Sequence, residues 1–476
     1  MFRQISGATR NRTGDTWIFS PLLYRLSYGT SFSDCKYISQ IRVTKNFGKK
    51  ISIWNHFNDV VHLHPYKYQK MDLLLNTLAN GIRLVHYRIP GLVAHCGLVI
   101  NTGSRDETLQ EHGIAHFIEH MLFKGTKKRR AFHILSRLED VGGELNAYTT
   151  KEETAIHASF LKDDYERAVE LISDISFNSI FPEKEIDKEK DVVIEEINSY
   201  LDNPSELIFD DFEELVFSNQ PIGRNILGSP ESVKSFSQKM ISDFISNNYN
   251  TRQMVFCSVG NISDEKILKM FKTYFSDIVT EKRVIRPDKT WLYKPASVTK
   301  KMDTYQNHCI MGNLAYDLND KRRMGMFLLN NILGGQGLNS RLNLSLREKH
   351  GFAYNVESSY NPYYDTGIFS IYFGTDNQYL NKSISIAMAE LKKLRTSKLG
   401  TIQLSKAKNQ IKGYLARGYE NHESLMLSLG KSLLIFNKID SIEDLCNKID
   451  AVTASELLET ANDIFEPSKM STLIYK

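Results

Sequence analysis

The sequence predicts an α+β protein made of two similar modules, and three observations carry that prediction. The segment Thr154-Ala-Ile156-His-Ala158-Ser-Phe160 is echoed 212 residues later by Thr366-Gly-Ile368-Phe-Ser370-Ile-Tyr372. Each copy alternates as a strand does, and each is followed by acidic residues and then by an apolar-periodic helix. Between the copies, residues 281–296 (EKRVIRPDKTWLYKPA) break the periodic pattern with two prolines and mixed charge, which places the join there. Modules over 71–285 and 297–476 result, each large enough to build a core.

The first 70 residues stand apart. They hold eleven Lys plus Arg, three Asp and no Glu, a balance of +8, so the remaining 406 residues carry −4 and the net +4 originates entirely in this tract. A basic, acid-poor leader would suit a mitochondrial presequence. Against that, the tract is long, has five aromatics within residues 47–70 and shows no sustained amphipathic period.

Elsewhere no run of 18 apolar residues and no signal-type apolar core near residue 1 or 71 is present, so neither a membrane span nor secretion is indicated. No membrane or nucleic-acid partner is expected. Cys35, Cys96, Cys257, Cys309 and Cys446 lack CxxC spacing, which predicts reduced thiols and no cysteine-based metal site. A cytoplasmic location is the default and the mitochondrial matrix the alternative.

Residues 113–126, GIAHFIEHMLFKGT, carry the chemistry. His116 and His120, at i and i+4, fall one turn apart on one helical face, so both imidazoles can reach one metal ion, and Glu119 shares that face as a candidate general base. The order His-x-x-Glu-His reverses the commoner His-Glu-x-x-His. A catalytic zinc usually takes a third protein ligand. The predicted helix over residues 183–203 offers Glu189, Glu195 and Glu196.

Downstream, GGELNAYTTKEETAIHASF (residues 142–160) reads as a turn and a strand in which Ile156, Ala158 and Phe160 share a face. In QPIGRNILGSPESVKSF (residues 220–236), the Pro and Gly content marks a loop, and Ser229 before Pro230 and Glu231 starts a helix. Gly334, Gly335 and Gly337 fit neither a nucleotide loop nor a dinucleotide loop and read as a flexible, substrate-facing loop. Carrying the 212-residue offset back to the histidine motif lands on RRMGMFLLNNIL (residues 322–333), which contains no His, Asp or Glu. One module is therefore expected to hold the metal and the other not.

Over residues 71–476 these segments resemble the pitrilysin/insulinase family of inverted-motif zinc peptidases, most of all its shorter branch with the mitochondrial processing peptidase β subunit and bacterial processing-type peptidases. In that branch the third ligand lies 76 positions after the second His, which selects Glu196 in VVIEEI and leaves Glu195 to solvent. The resemblance implies further roles. Glu189, Glu206 and Asp210 match acidic positions that support the ligands, and Asn146 and Ala147 match a substrate-binding strand that could pair with extended peptides at a sheet edge. Arg347 and Tyr354 match contacts to substrate and transition state, chemically apt as a carbonyl clamp and a hydrogen-bond donor to an oxyanion.

The resemblance also implies a mostly antiparallel sheet packed with helices in each module and an active-site cleft between them. Met71-Asp-Leu-Leu-Leu looks like the family's opening strand, so residues 1–70 are expected to be a non-native or disordered extension. The expected function is that of a zinc metalloendopeptidase acting on peptides or extended protein segments, with one Zn2+ per chain and Glu119 as base on a metal-activated water. A homodimer, or a heterodimer with a related subunit, fits the branch. A noncatalytic zinc-binding core subunit of the same fold is the alternative.

Overall fold

The structure, a computed structural model, describes residues 71–279 and 292–476; the expectations for residues 1–70 and for most of the predicted join lie outside the described residues. Two sheets organise the chain. Strands β1 (Leu73–Thr77), β2 (Arg83–Arg88), β3 (Val93–Ile100), β4 (Glu144–Thr149), β5 (Thr154–Leu161) and β6 (Met254–Gly260) form the first, in the order β1-β2-β6-β3-β5-β4. Strands β7 (Ser297–Lys300), β8 (Asn307–Ala315), β9 (Ala353–Pro362), β10 (Gly367–Thr375) and β11 (Ser471–Tyr475) form the second, in the order β7-β11-β8-β10-β9. Neighbours are antiparallel except β2 with β6 and β7 with β11. The α+β class and the two similar modules are therefore as the sequence predicts, and the echoed segments are β5 and β10.

Alternation along the strands sends side chains to two different cores. Leu84, Leu98, Ile156, Ala158 and Phe160 face the helices of the first half, while Val85, Val99 and Ala155 face the opposite way. That opposite face is covered from far along the chain. Helix His422–Phe436 lays Leu425, Met426, Leu429 and Leu433 against it. The second sheet is treated the same way in return, because helix Pro204–Val216 from the first half brings Ile208, Phe212 and Val216 against Ile310, Ile368 and Leu473. Each half thus lends one helix to the other's sheet.

The exchanged helix sits close. A Cβ on Gly430 would lie 2.9 Å from the Cys257 sulfur, so only glycine permits this approach to β6. Polar pairs flank it: Glu423 lies 3.1 Å from His157, and Lys431 pairs with the buried Glu153, which also accepts the Tyr148 hydroxyl at 3.0 Å.

The turns that follow β4 and β9 also meet. Arg105 reaches Glu152 at 2.5 Å and Asp365 at 2.6 Å, and Glu152 accepts the Tyr364 N–H at 3.1 Å. Beside it the Tyr363 hydroxyl donates to Glu213 at 2.9 Å. Cys96, Cys257, Cys309 and Cys446 are buried free thiols, as expected; Cys35 lies outside the described residues. Among the described residues no helix is long and apolar enough to cross a membrane.

Candidate metal centre

Helix Ile114–Met121 is only 8 residues long, so its position must come from packing and capping. Ile114, Phe117, Ile118 and Met121 are fully buried, and Phe117 packs its ring 5.2 Å from that of Phe236. Gly113 caps the helix in the left-handed region (φ 93°), where a Cβ would strike Gly228 at 2.7 Å. Glu107, six residues earlier, is buried and uses both carboxylate oxygens to accept the N–H groups of Gly113 (2.9 Å) and Ala115 (3.0 Å). Two of the helix's orphan donors are satisfied in this way. Burial pushes the Glu107 carboxyl up to about 8, against the opposing pull of those two N–H groups and of Arg224.

Helix Glu183–Leu201 packs alongside, burying Ile186, Val193, Ile197 and Tyr200 on one face. Glu189 and Glu196, two turns apart, lie next to that face and look toward the histidines. The Glu196 carboxylate stands 3.8 Å from His116 Nε2 and 3.6 Å from His120 Nε2. The two rings sit 4.6 Å apart and nearly perpendicular, and one donor atom from each of the three residues falls within a 4.8 Å cluster.

These separations suit a tetrahedral ion. Donors about 2.0–2.1 Å from zinc and a tetrahedral angle apart lie roughly 3.4 Å from each other. Two imidazoles and one carboxylate are also the donor set of many catalytic zinc sites. His120, His116 and Glu196 are therefore brought together as expected, with the buried Glu119 one residue before His120.

Glu189 is placed one step behind the cluster. It accepts from His120 Nδ1 at 2.8 Å, which leaves Nε2 to face Glu196 and fixes the ring's orientation. Its other oxygen lies 2.6 Å from Lys124 Nζ. Burial raises the Glu189 carboxyl, but the hydrogen bonds to His120 and Lys124 outweigh it and hold the group below the usual carboxylate range. Glu195 is exposed, as assigned.

The remaining expected residues are spread more widely. Glu206 and Asp210 lie on helix Pro204–Val216, Glu206 exposed and Asp210 accepting the Tyr200 hydroxyl. Asn146 and Ala147 lie on β4, the edge strand of the first sheet, beside the histidine helix; Asn146 is exposed opposite His157 and Ala147 packs on the core. Arg347, on the helical turn Asn343–Lys349, stacks 5.0 Å from the ring centroid of Tyr354 at the start of edge strand β9. Tyr354 is 66% exposed, and among the described residues neither of the pair is hydrogen-bonded or ion-paired to the histidine cluster. The sequence reading missed Glu107 and Lys124. Lys124 carried a signal, since it continues the four-residue spacing of His116 and His120; Glu107 carried none.

Comparison with known proteins bears on the same residues. The profile described as Insulinase (Peptidase family M16) matches residues 85–230, and that described as Peptidase M16 inactive domain matches residues 235–411. An uncharacterized zinc protease of Rickettsia bellii is 32% identical over 407 residues, covering 85% of this chain and 98% of its own length. The uncharacterized zinc protease YmxG of Bacillus subtilis is 32% identical over 403 residues, covering 84% and 97%. Among solved structures, a protease from Helicobacter pylori superimposes with a TM-score of 0.79 at 22% identity over 86% of this chain and all of that one, which shows a shared fold.

Proposed function

The chain belongs to the insulinase (M16) peptidase family, and from that premise we propose that it is a zinc-dependent metalloendopeptidase acting on peptides or extended protein segments. One observation carries the proposal: two imidazoles and a carboxylate converge within 4.8 Å, beside a fourth acid that is not needed as a ligand. Bound there, zinc would supply a Lewis acid that polarises the scissile carbonyl and acidifies a water.

The chain's own residues account for the rest. His116, His120 and Glu196 hold the ion, and Glu189 fixes the His120 ring. Glu119 takes a proton from the attacking water and returns it to the leaving amine as the C–N bond breaks, a role suited to a carboxylate one position from a ligand. Along β4, backbone groups on the outer edge pair with an extended substrate, with Asn146 and Ala147 lining its path. Arg347, from its helical turn, and Tyr354, from β9, contact the substrate from the second half of the chain. Substrate sequence is thereby read weakly, and a cytoplasmic location with a dimeric assembly completes the proposal.

Hydrolysis of a peptide mixture, followed by mass spectrometry, should vanish with a chelator and return with Zn2+. Glu119→Gln should lower turnover by about 10²–10⁴-fold while keeping its zinc. Zinc-loaded wild-type protein that cleaves nothing would sink the enzymatic reading and leave the noncatalytic core subunit in its place.

A further inference from the structure

We infer that Lys124 is a positioning residue for the metal centre, acting on the ion through Glu189 and His120. The inference rests on the zinc reading above and assigns a residue that reading does not use.

The argument starts from helical geometry. His116, His120 and Lys124 follow one another at four-residue intervals, and the helical turn continues past Met121, because Leu122 N–H bonds Ile118 O at 3.0 Å and Lys124 N–H bonds Met121 O at 3.1 Å. The three side chains therefore form one stripe. Helix Glu183–Leu201 offers Glu196 and Glu189 along its facing stripe, in the opposite sense. Glu196 meets both histidines, and Glu189 meets His120 and Lys124. A cation at this end of the histidine helix is also favoured by the exposed carbonyls of its last turn.

Glu189 is 4% exposed. A carboxylate buried that deeply needs a partner for each oxygen, and it has one for each: His120 Nδ1 at 2.8 Å on Oε1 and Lys124 Nζ at 2.6 Å on Oε2. The two contacts fix the carboxylate plane. Without the ammonium, Oε2 would be left desolvated, and the group would turn toward water or toward the imidazole, tilting the ring whose other nitrogen faces Glu196. Lys124 thus converts a flexible acid into a rigid one. Partners of this kind behind metal ligands commonly change metal affinity 10–100-fold when removed.

The test is Zn2+ affinity of the full chain, measured by competition with a chromophoric chelator, alongside thermal unfolding of the metal-free protein. Lys124→Met should bind Zn2+ about 10–100-fold more weakly, while its metal-free form still unfolds in one cooperative transition at a somewhat lower temperature, since Glu189 loses a buried partner. Lys124→Arg, which keeps a cation in reach, should recover most of that loss. Lys124→Met combined with Glu189→Gln should bind no more weakly than Glu189→Gln alone, because both act through one contact. Lys124→Met that binds as tightly as wild type, or a double variant whose losses add, would overturn the inference while leaving the zinc reading intact. Wild-type protein that fails to bind Zn2+ would overturn both.

Discussion

Two helices occupy equivalent places in the two halves, yet only one can hold a metal. Ile114–Met121 follows β3 and packs on Glu183–Leu201; Arg323–Gly334 follows β8 and packs on Thr401–Tyr419. Where the first pair sets His116, Glu119 and His120 against acids, the 212-residue offset puts Leu328, Asn331 and Ile332. The partner helices differ still more. Residues 183–201 carry seven acids and three bases, residues 401–419 four bases and no acid. At the second site a neutral amide pair, Asn331 Nδ2 to Gln410 Oε1 at 3.1 Å, lies between the helices. One scaffold thus supports a metal cage or an ordinary helix contact according to a few side chains, so the chemistry belongs to the residues and not to the fold.

The contrast can be broken most completely by making the first helix resemble the second. His116→Leu, which installs the residue found at 328, should abolish stoichiometric zinc and lower peptide hydrolysis by at least about 10³-fold, read by metal analysis and by peptide cleavage. The converse change should fail to create a site. Leu328→His places an imidazole in a position 1% exposed on a helix with no second histidine, so zinc should remain at one per chain while stability falls by about 2–4 kcal/mol in denaturant unfolding.

Smaller effects sharpen the comparison. Glu107→Ala removes the side chain that caps the first helix and should cost about 1–3 kcal/mol, again by denaturant unfolding. Glu107 also predicts a pH dependence. Its carboxyl sits near 8 in the folded protein and in the usual carboxylate range when unfolded, so the native state binds the extra proton between those values and its contribution declines as pH rises from about 5 to 8. Glu107→Gln should flatten that part of the stability profile. Least of all, Tyr363→Phe deletes the hydroxyl contact to Glu213 between the halves and should cost about 1 kcal/mol with zinc affinity unchanged.

What the sequence revealed follows what is local in it. The His-x-x-Glu-His spacing fixes two ligands within one helical turn, and strand alternation at residues 154–160 and 366–372 exposes the repeat. Glu196 was found only through family spacing, because Glu189, Glu195 and Glu196 are indistinguishable by charge and differ in the rotation of their helix. Lys124 stayed hidden for a similar reason: a lysine on a helix is by default solvated, and its partner lies 65 positions away. The exchange of helices was also illegible. The apolar faces of Pro204–Val216 and His422–Phe436 announce burial but not which sheet they bury against.

That exchange has a consequence for how the polypeptide can be divided. A fragment ending near residue 279 would bare the valine-rich back of its own sheet and carry an amphipathic helix with nothing to cover, and its complement would suffer the mirror-image defect. Each piece would expose to water the apolar surface that the other now covers, so cutting the polypeptide there should destabilise both.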